Sequence, residues 1–321
     1  MKVYVLCLGG SIAGGIECLV QLVDALRTLG IKAYLSYYPD GPKQTHQYFK
    51  DFGYNIEQAS VEDNENNIVI IPEIHTKRAV LYPKSKKVIY WLSVDNYFQR
   101  KWNSKIKDFY MYFKTLKSAR LPFSKMNNFS HITQSQYATD ILREKGFKSY
   151  FIGDYLNDQF FDMSKVLEST KKENLVAFNP QKGLSFTNKL FLDQHIKTVP
   201  LIRMSREELI ASLARAKVYV DFGHHPGRDR IPREAAVMRS CLITSKRGSA
   251  FNSHDIQISE DYKFDMKEYE VKNIVKTIRN IFDNYSMHLK EQNENRARIL
   301  MDKKSFIRNV DGLLDHIYEK K

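Results

Sequence analysis

The 321-residue chain has no apolar run approaching about 18 residues, which excludes a membrane-spanning helix. Its opening, MKVYVLCLGG, meets two glycines where the core of a secretory signal would continue, so no signal peptide is expected. Cysteine is scarce. Cys7, Cys18 and Cys241 sit in apolar segments without metal-ligand spacing, the pattern of buried thiols in a reducing compartment. No low-complexity stretch and no repeat of roughly 20–50 residues appears, which excludes solenoids and propellers. The glycines near the start do not spell G-x-G-x-x-G and no Walker lysine follows, which argues against a dinucleotide or P-loop site. A cytoplasmic location is the expectation.

What the chain does have is 43% hydrophobic and 12% aromatic residues, enough for packed cores, and a length that suits two domains. Fifty basic against 37 acidic residues give a formal net charge of +13, which calls for an anionic partner.

Residues 2–8 form a continuous apolar run, as in a parallel strand buried on both faces. GGSIAGG follows. Ile16, Leu19, Val20, Val23, Leu26 and Leu29 then recur at helical spacing up to Gly30, and Lys32–Tyr38 reads as a second strand. This strand–glycine loop–helix–strand unit opens a Rossmann-like half. Gly14 and Gly15 would let a ligand approach the helix N-terminus, or simply make a tight turn. Strands at Asn67–Ile71 and Lys87–Leu92 end in polar residues. Carboxyl ends of parallel strands line ligand crevices, so Glu73, His75 and Asp95 are candidates for base or acceptor contacts, with capping as the alternative role.

Residues 97–125 carry eight basic residues against one aspartate, interleaved with aromatics. An amphipathic lid is the favoured reading. An anionic membrane surface, a polyanionic acceptor or single-stranded nucleic acid are the alternatives. A strand and a helix capped at Ser135 follow over 130–147, with a further strand at Tyr150–Ile152. The charged stretch Lys165–Asn174 is the expected linker.

The second half restarts the α/β pattern. Leu175–Phe178 is a strand, NPQKG a turn, Ser185–His195 a helix, and SREELIASLARAK a helix with a capping box between Ser205 and Glu208. The stretch Val218–Ala250, VYVDFGHHPGRDRIPREAAVMRSCLITSKRGSA, reads as strand, loop, short helix, strand and second glycine turn. Its loop gathers Arg228, Arg230 and Arg233 beside a helix N-terminus, a recipe for holding phosphate. His224 and His225 are adjacent, which does not readily place both rings on one metal. Amphipathic helices at Glu268–Tyr285 and 304–318 complete the chain.

With these elements in order, the chain resembles the GT-B glycosyltransferases, whose two Rossmann-like α/β domains face a cleft. GGSIAGGIECLVQLVDALRTLG is similar to that family's glycine loop and first helix. MSREELIASLARAKVYVDFG and REAAVMRSCLITSKRGS resemble two segments of its donor domain. The resemblance implies an acceptor domain over 1–165, a donor domain over 174–300, and a terminal helix, 301–321, packing back across the domains. It implies that Glu234 accepts from the nucleotide ribose and that Lys182 of the KG turn binds the donor diphosphate, with Gly14 and Gly15 facing it. His224 is a candidate donor contact. Two positions depart from the family. Pro226 stands where a second glutamate is usual, with Asp229 the nearest carboxylate, and no arginine precedes Lys182. Arg203, Arg228 or Arg233 would supply that charge.

The resemblance implies transfer of a sugar from a nucleotide-sugar donor to a glycan or lipid-linked acceptor in surface polysaccharide assembly, with peripheral contact to the inner face of a membrane. Cations and helix dipoles would stabilise the leaving diphosphate. No Asp-x-Asp motif is present, so neither metal nor other cofactor is expected. Two rivals stand beside it: a nucleotide-sugar epimerase of the same architecture, and a nucleic-acid-binding protein using residues 97–125. Nucleic acid is the disfavoured partner, because the basic residues are spread over both halves.

Overall fold

The computed structural model describes residues 1–10, 13–38, 43–98, 119–164, 167, 170–192 and 195–319. Most of the basic–aromatic segment, residues 99–118, lies outside the described residues. The chain forms two compact units, Met1–Asp154 with Lys304–Lys321, and Tyr155–Lys303.

The first unit is built on six parallel strands: β1 (Val3–Leu8), β2 (Ala33–Tyr38), β3 (Ile68–Pro72), β4 (Lys86–Trp91), β5 (Ser130–Thr133) and β6 (Tyr150–Phe151). Their order is β2-β1-β3-β4-β5-β6, with Val5 of β1 paired to Leu35 on one side and Ile70 on the other. The central strands are apolar throughout because helices and loops cover both faces. The helix Gly14–Thr28 buries Leu19, Val20, Leu22, Val23 and Leu26, the stripe its sequence carries. Ser135 caps the helix Gln136–Glu144 by accepting from Ala138 N–H at 3.1 Å.

The second unit repeats the plan with β7 (Glu173–Phe178), β8 (Lys197–Pro200), β9 (Ala216–Asp221), β10 (Cys241–Ser245) and β11 (Lys263–Phe264). These are also parallel, in the order β11-β10-β9-β7-β8. The capping box between Ser205 and Glu208 is formed, starting the helix Arg206–Arg215.

In each sheet the chain reverses direction once. In the first it leaves β1 for β2 and returns to the other side as β3. In the second it leaves β7 for β8 and returns as β9. Loops after the two strands flanking such a reversal diverge, and the gap between them is where open α/β sheets bind ligands.

Three expectations need correction. The break between the units falls at Asp154, not in the charged stretch 165–174, and the second unit begins at Tyr155. Leu156, Phe160 and Leu167 are buried in the second unit's core, and Lys172 is tied into it. Its Nζ donates to the carbonyls of Leu213 (3.1 Å), Ala216 (2.8 Å) and Met238 (2.6 Å). Burial pushes that ammonium down to about 7. A lysine that caps helix and strand ends from inside reads, in sequence, like any solvated charge.

The helix expected over Ser185–His195 ends at Leu190, and the short strand β8 follows. Its KTVP sequence, largely exposed at the sheet edge, carries no alternation to reveal it.

The terminal segment is two helices, Asp302–Asp311 and Leu313–Glu319, parted at Gly312. From Lys304 onward it belongs to the first unit, where His316 stacks on Tyr150 at 4.9 Å and Lys86 lies 3.4 Å over the Tyr318 ring.

Candidate functional site

The loops flanking the reversal in the second sheet are Asn179–Gly183, after β7, and 222–229, after β9. Two glycine turns press on the second loop. Gly183 has φ 64°, and a Cβ there would sit 2.1 Å from the Phe222 carbonyl oxygen. Gly248 has φ 55°, and a Cβ there would sit 2.0 Å from the His225 carbonyl oxygen. Only glycine allows both the left-handed backbone and that approach. The loop is further pinned by Ser249, whose N–H donates to the His225 carbonyl (2.9 Å) and whose hydroxyl donates to that of Gly227 (2.5 Å).

This packing brings four side chains into one chain of charge. Asp221, at the end of β9, accepts from the Tyr219 hydroxyl and from Gly223 N–H, each at 2.9 Å. Its Oδ1 lies 3.4 Å from His225 Nε2, while Asp229 Oδ2 lies 3.0 Å from His225 Nδ1. Lys182 Nζ then donates to Asp229 Oδ2 at 2.8 Å. Asp221 and His225 are shut off from solvent, whereas the Lys182 and Asp229 side chains keep 34% and 21% of their exposure. Only that outer end can meet a ligand.

Burial works against a charged His225, yet the Asp221 and Asp229 carboxylates outweigh it and raise the imidazole above its ordinary range. Burial likewise opposes ionised Asp229, but His225 and Lys182 overcome it and hold the carboxyl at about 2. The cluster therefore alternates two carboxylates with the Lys182 ammonium and an imidazole whose protonation those carboxylates favour.

Asp221, His225 and Asp229 are the group of the described residues whose ligating atoms, all within 4.8 Å, could share a metal ion. The ring turns opposite nitrogens to the two carboxylates, and the Lys182 ammonium already sits on Asp229. Charge pairing accounts for that arrangement without coordination.

The arginines offered for a diphosphate face elsewhere. Arg228 Nη2 donates to both oxygens of Asp302, at 2.8 and 2.9 Å, and Arg233 Nη1 reaches the same carboxylate at 3.4 Å. Arg233 also donates to the carbonyls of Asp229 (3.2 Å) and Arg228 (3.4 Å). All three side chains are buried, so this is a clamp that shapes the loop from behind. Glu234 is buried midway along the helix Arg230–Val237, and its charge is felt at the Tyr219 hydroxyl. His224 is half-buried beside the cluster, and Arg203 is exposed in a left-handed turn (φ 52°), joined to the cluster by no contact among the described residues.

Sequence reasoning weighed His224 and His225 as a pair and chose His224 as the donor contact. The signal was there: Asp221, His225 and Asp229 recur every fourth residue, but a loop with Pro226 and Gly227 gives no reason to expect that periodicity to converge.

In the first unit the corresponding reversal lies between β1 and β3. Gly14 and Gly15 start the helix after β1 and are exposed. Glu73, after β3, is only 2% exposed and accepts from Leu92 N–H at 3.1 Å. Burial pushes its carboxyl up to about 8, against the pull of that bond. Asp95 is likewise buried and accepts the Tyr137 hydroxyl at 3.0 and 3.2 Å. His75 alone of the three is half-buried; burial, then Arg78 and Arg120, lower its pKa and keep the ring neutral.

No family model and no curated protein matches the chain. Solved structures do. HepE from Anabaena, in complex with UDP, is 12% identical with a TM-score of 0.66, covering 98% of this chain and 100% of its own. A glycosyltransferase from Rickettsia africae is 12% identical with a TM-score of 0.65, covering 100% of both chains. A sucrose-phosphate synthase from Thermosynechococcus elongatus is 11% identical with a TM-score of 0.63, again covering 100% of both. At such identity the likeness is one of fold: the two parallel-sheet α/β units are those of GT-B glycosyltransferases.

Proposed function

We propose that this protein is a glycosyltransferase that moves a sugar from a nucleotide-sugar donor to a glycan or lipid-linked acceptor, in surface polysaccharide assembly. The observation that carries the reading is the Lys182–Asp229–His225–Asp221 cluster at the reversal of the second sheet. It presents one ammonium, held in place from behind, at the position where an α/β sheet receives phosphate. The fold it shares with a protein that binds UDP and UDP-glucose makes a uridine donor the first to test.

In this reading Lys182 meets the donor diphosphate and stabilises the charge that grows as the nucleotide departs. Glu234 receives the ribose. No metal takes part, the Lys182 ammonium supplying the positive charge. Among the strand-end groups of the first unit, His75 is the one able to take a proton from an acceptor hydroxyl, since it is neutral and half-open. Glu73 and Asp95 hold the framework around it.

The test is calorimetric titration of the protein with UDP and UDP-glucose, with and without EDTA, repeated on Lys182→Ala. Binding that survives EDTA and weakens at least tenfold in the variant supports the reading. Absence of binding to any nucleoside diphosphate overturns it. Interconversion of UDP-glucose with its epimer in the absence of acceptor would make the protein an epimerase instead.

A further inference from the structure

The first unit contains a cavity of about 450 Å³ that none of the groups above uses. It lies where β1 and β2 approach their carboxyl ends, between Leu6 and Ser36–Tyr38 on the strands, residues 58–61, and Arg78 with Tyr82. Its size suits one or two sugar rings, within the ordinary range for small-molecule pockets.

Three features of its wall point to a ligand. The Arg78 guanidinium lies 4.0 Å over the ring of Tyr38. Its charge also bears on the Tyr82 hydroxyl, and no ion pair among the described residues joins it to a carboxylate. Stacking on an aromatic face leaves the edge of a guanidinium, with its forked donors, available to a planar or tetrahedral anion. Second, Tyr38 is 5% exposed, yet its hydroxyl has no hydrogen-bond partner among the described residues. With that hydroxyl sealed from solvent, it is the ring of Tyr38 that the cavity wall presents. Third, Tyr37, Tyr38 and Tyr82 supply phenolic rings, and Ser36, Ser60 and Gln58 supply small polar groups. Flat apolar faces alternating with hydroxyl and amide partners match a pyranose, which has both.

The charge narrows the class. Among the described residues one guanidinium lines the cavity and no lysine does, which suits one compact anionic group seated on a single fork of donors. We propose that this cavity binds a sugar ring carrying one carboxylate or phosphate, with the anion on Arg78 and the ring against Tyr37, Tyr38 and Tyr82. Calling that sugar the acceptor rests on the transferase reading; the binding itself does not. His75 packs edge-on against Tyr38 at 5.0 Å between ring centres, so the imidazole touches the wall of the cavity through that ring.

The experiment titrates the full chain with glucuronate, glucose 6-phosphate and glucose, reading affinity by calorimetry, on the native sequence and on Arg78→Gln and Tyr38→Phe. Both acids are expected to bind at least tenfold more tightly than glucose. Arg78→Gln should remove that preference, and Tyr38→Phe, which keeps the ring and the guanidinium above it, should leave both the affinities and their order unchanged within about twofold. UDP affinity should stay the same throughout. If only one acid binds, the proposal stands and that acid identifies the charged group. Equal affinity for glucose and the acids, or no sugar binding at all, overturns it; both results need only the native protein. Undiminished acid binding by folded Arg78→Gln overturns it as well. Loss of UDP binding alone would sink the donor reading and leave this cavity's role intact.

Discussion

Lys182 Nζ and Asp229 Oδ2 lie 2.8 Å apart, so a phosphate arriving at the lysine meets an ion pair already formed. The two partners should then respond differently to mutation. Lys182→Ala removes a charge-assisted contact worth about 1.5–3 kcal/mol and should weaken UDP binding at least tenfold. Asp229→Asn keeps an acceptor for the ammonium and removes a charge that repels phosphate, so UDP affinity should change by less than threefold. Calorimetry on both variants checks this, and a reversed ranking would make Asp229 the ligand-binding group.

The stability of the second unit should carry the signature of His225. A raised imidazole contributes fully below its unfolded value and loses that contribution as pH rises through the folded one. Asp229, held at about 2, contributes above its unfolded value and loses it as pH falls through about 2. The advantage of the native sequence over His225→Asn should therefore peak between roughly pH 4 and 6.5 and shrink towards pH 9. Urea unfolding at a series of pH values measures it; a pH-independent difference would mean that His225 is neutral.

Glu73 predicts a slope of the same sign over a different window. Its carboxyl is pushed up to about 8, so between its unfolded value and about 8 the folded state holds a proton that the unfolded state has released. Native stability must fall as pH rises across that window. Glu73→Gln removes the titration and keeps an acceptor for Leu92 N–H. Scanning calorimetry should find the variant equal to the native protein near pH 4 and more stable at pH 9.

Asp302 neutralises two buried arginines, Arg228 and Arg233. Asp302→Ala removes that counter-charge from both and should cost about 3–5 kcal/mol in denaturant unfolding. UDP affinity should drop with it, although Asp302 lies behind the loop, because Arg228 and Arg233 carry the backbone that sets Asp229.

Gly183→Ala should weaken UDP binding without touching any charge. The new methyl would meet the Phe222 carbonyl at 2.1 Å in a left-handed backbone, forcing the two loops apart. A loss of at least fivefold in UDP affinity, with the first unit's melting unchanged, is the expected result.

Much of this molecule was written locally. Apolar runs that end in glycine or polar turns specify strands buried on both faces, so both sheets could be traced from Val3–Leu8, Ile68–Pro72, Ala216–Asp221 and Cys241–Ser245. Ser135 and Ser205 announce their helices because a cap bonds within three residues. The 222–234 loop was legible as a basic, glycine-bearing turn leading into a helix, whereas Lys182 was singled out only by the resemblance. These signals depend on neighbours along the chain, which a sequence displays directly.

Tertiary structure alone decided which charges stay open to solvent. Arg228 and Arg233 read as phosphate contacts until Asp302, more than 60 residues away, claims both. Lys172 looked like part of a solvated linker until three carbonyls from separate segments closed around its ammonium. His225 gained its two carboxylates, and Tyr38 its guanidinium, only when loops converged. A side chain's charge is a local property, but its partner and its access to solvent depend on what packs against it from afar. The sequence by itself determined the strands, the caps and the stock of charges; the fold assigned each charge its partner.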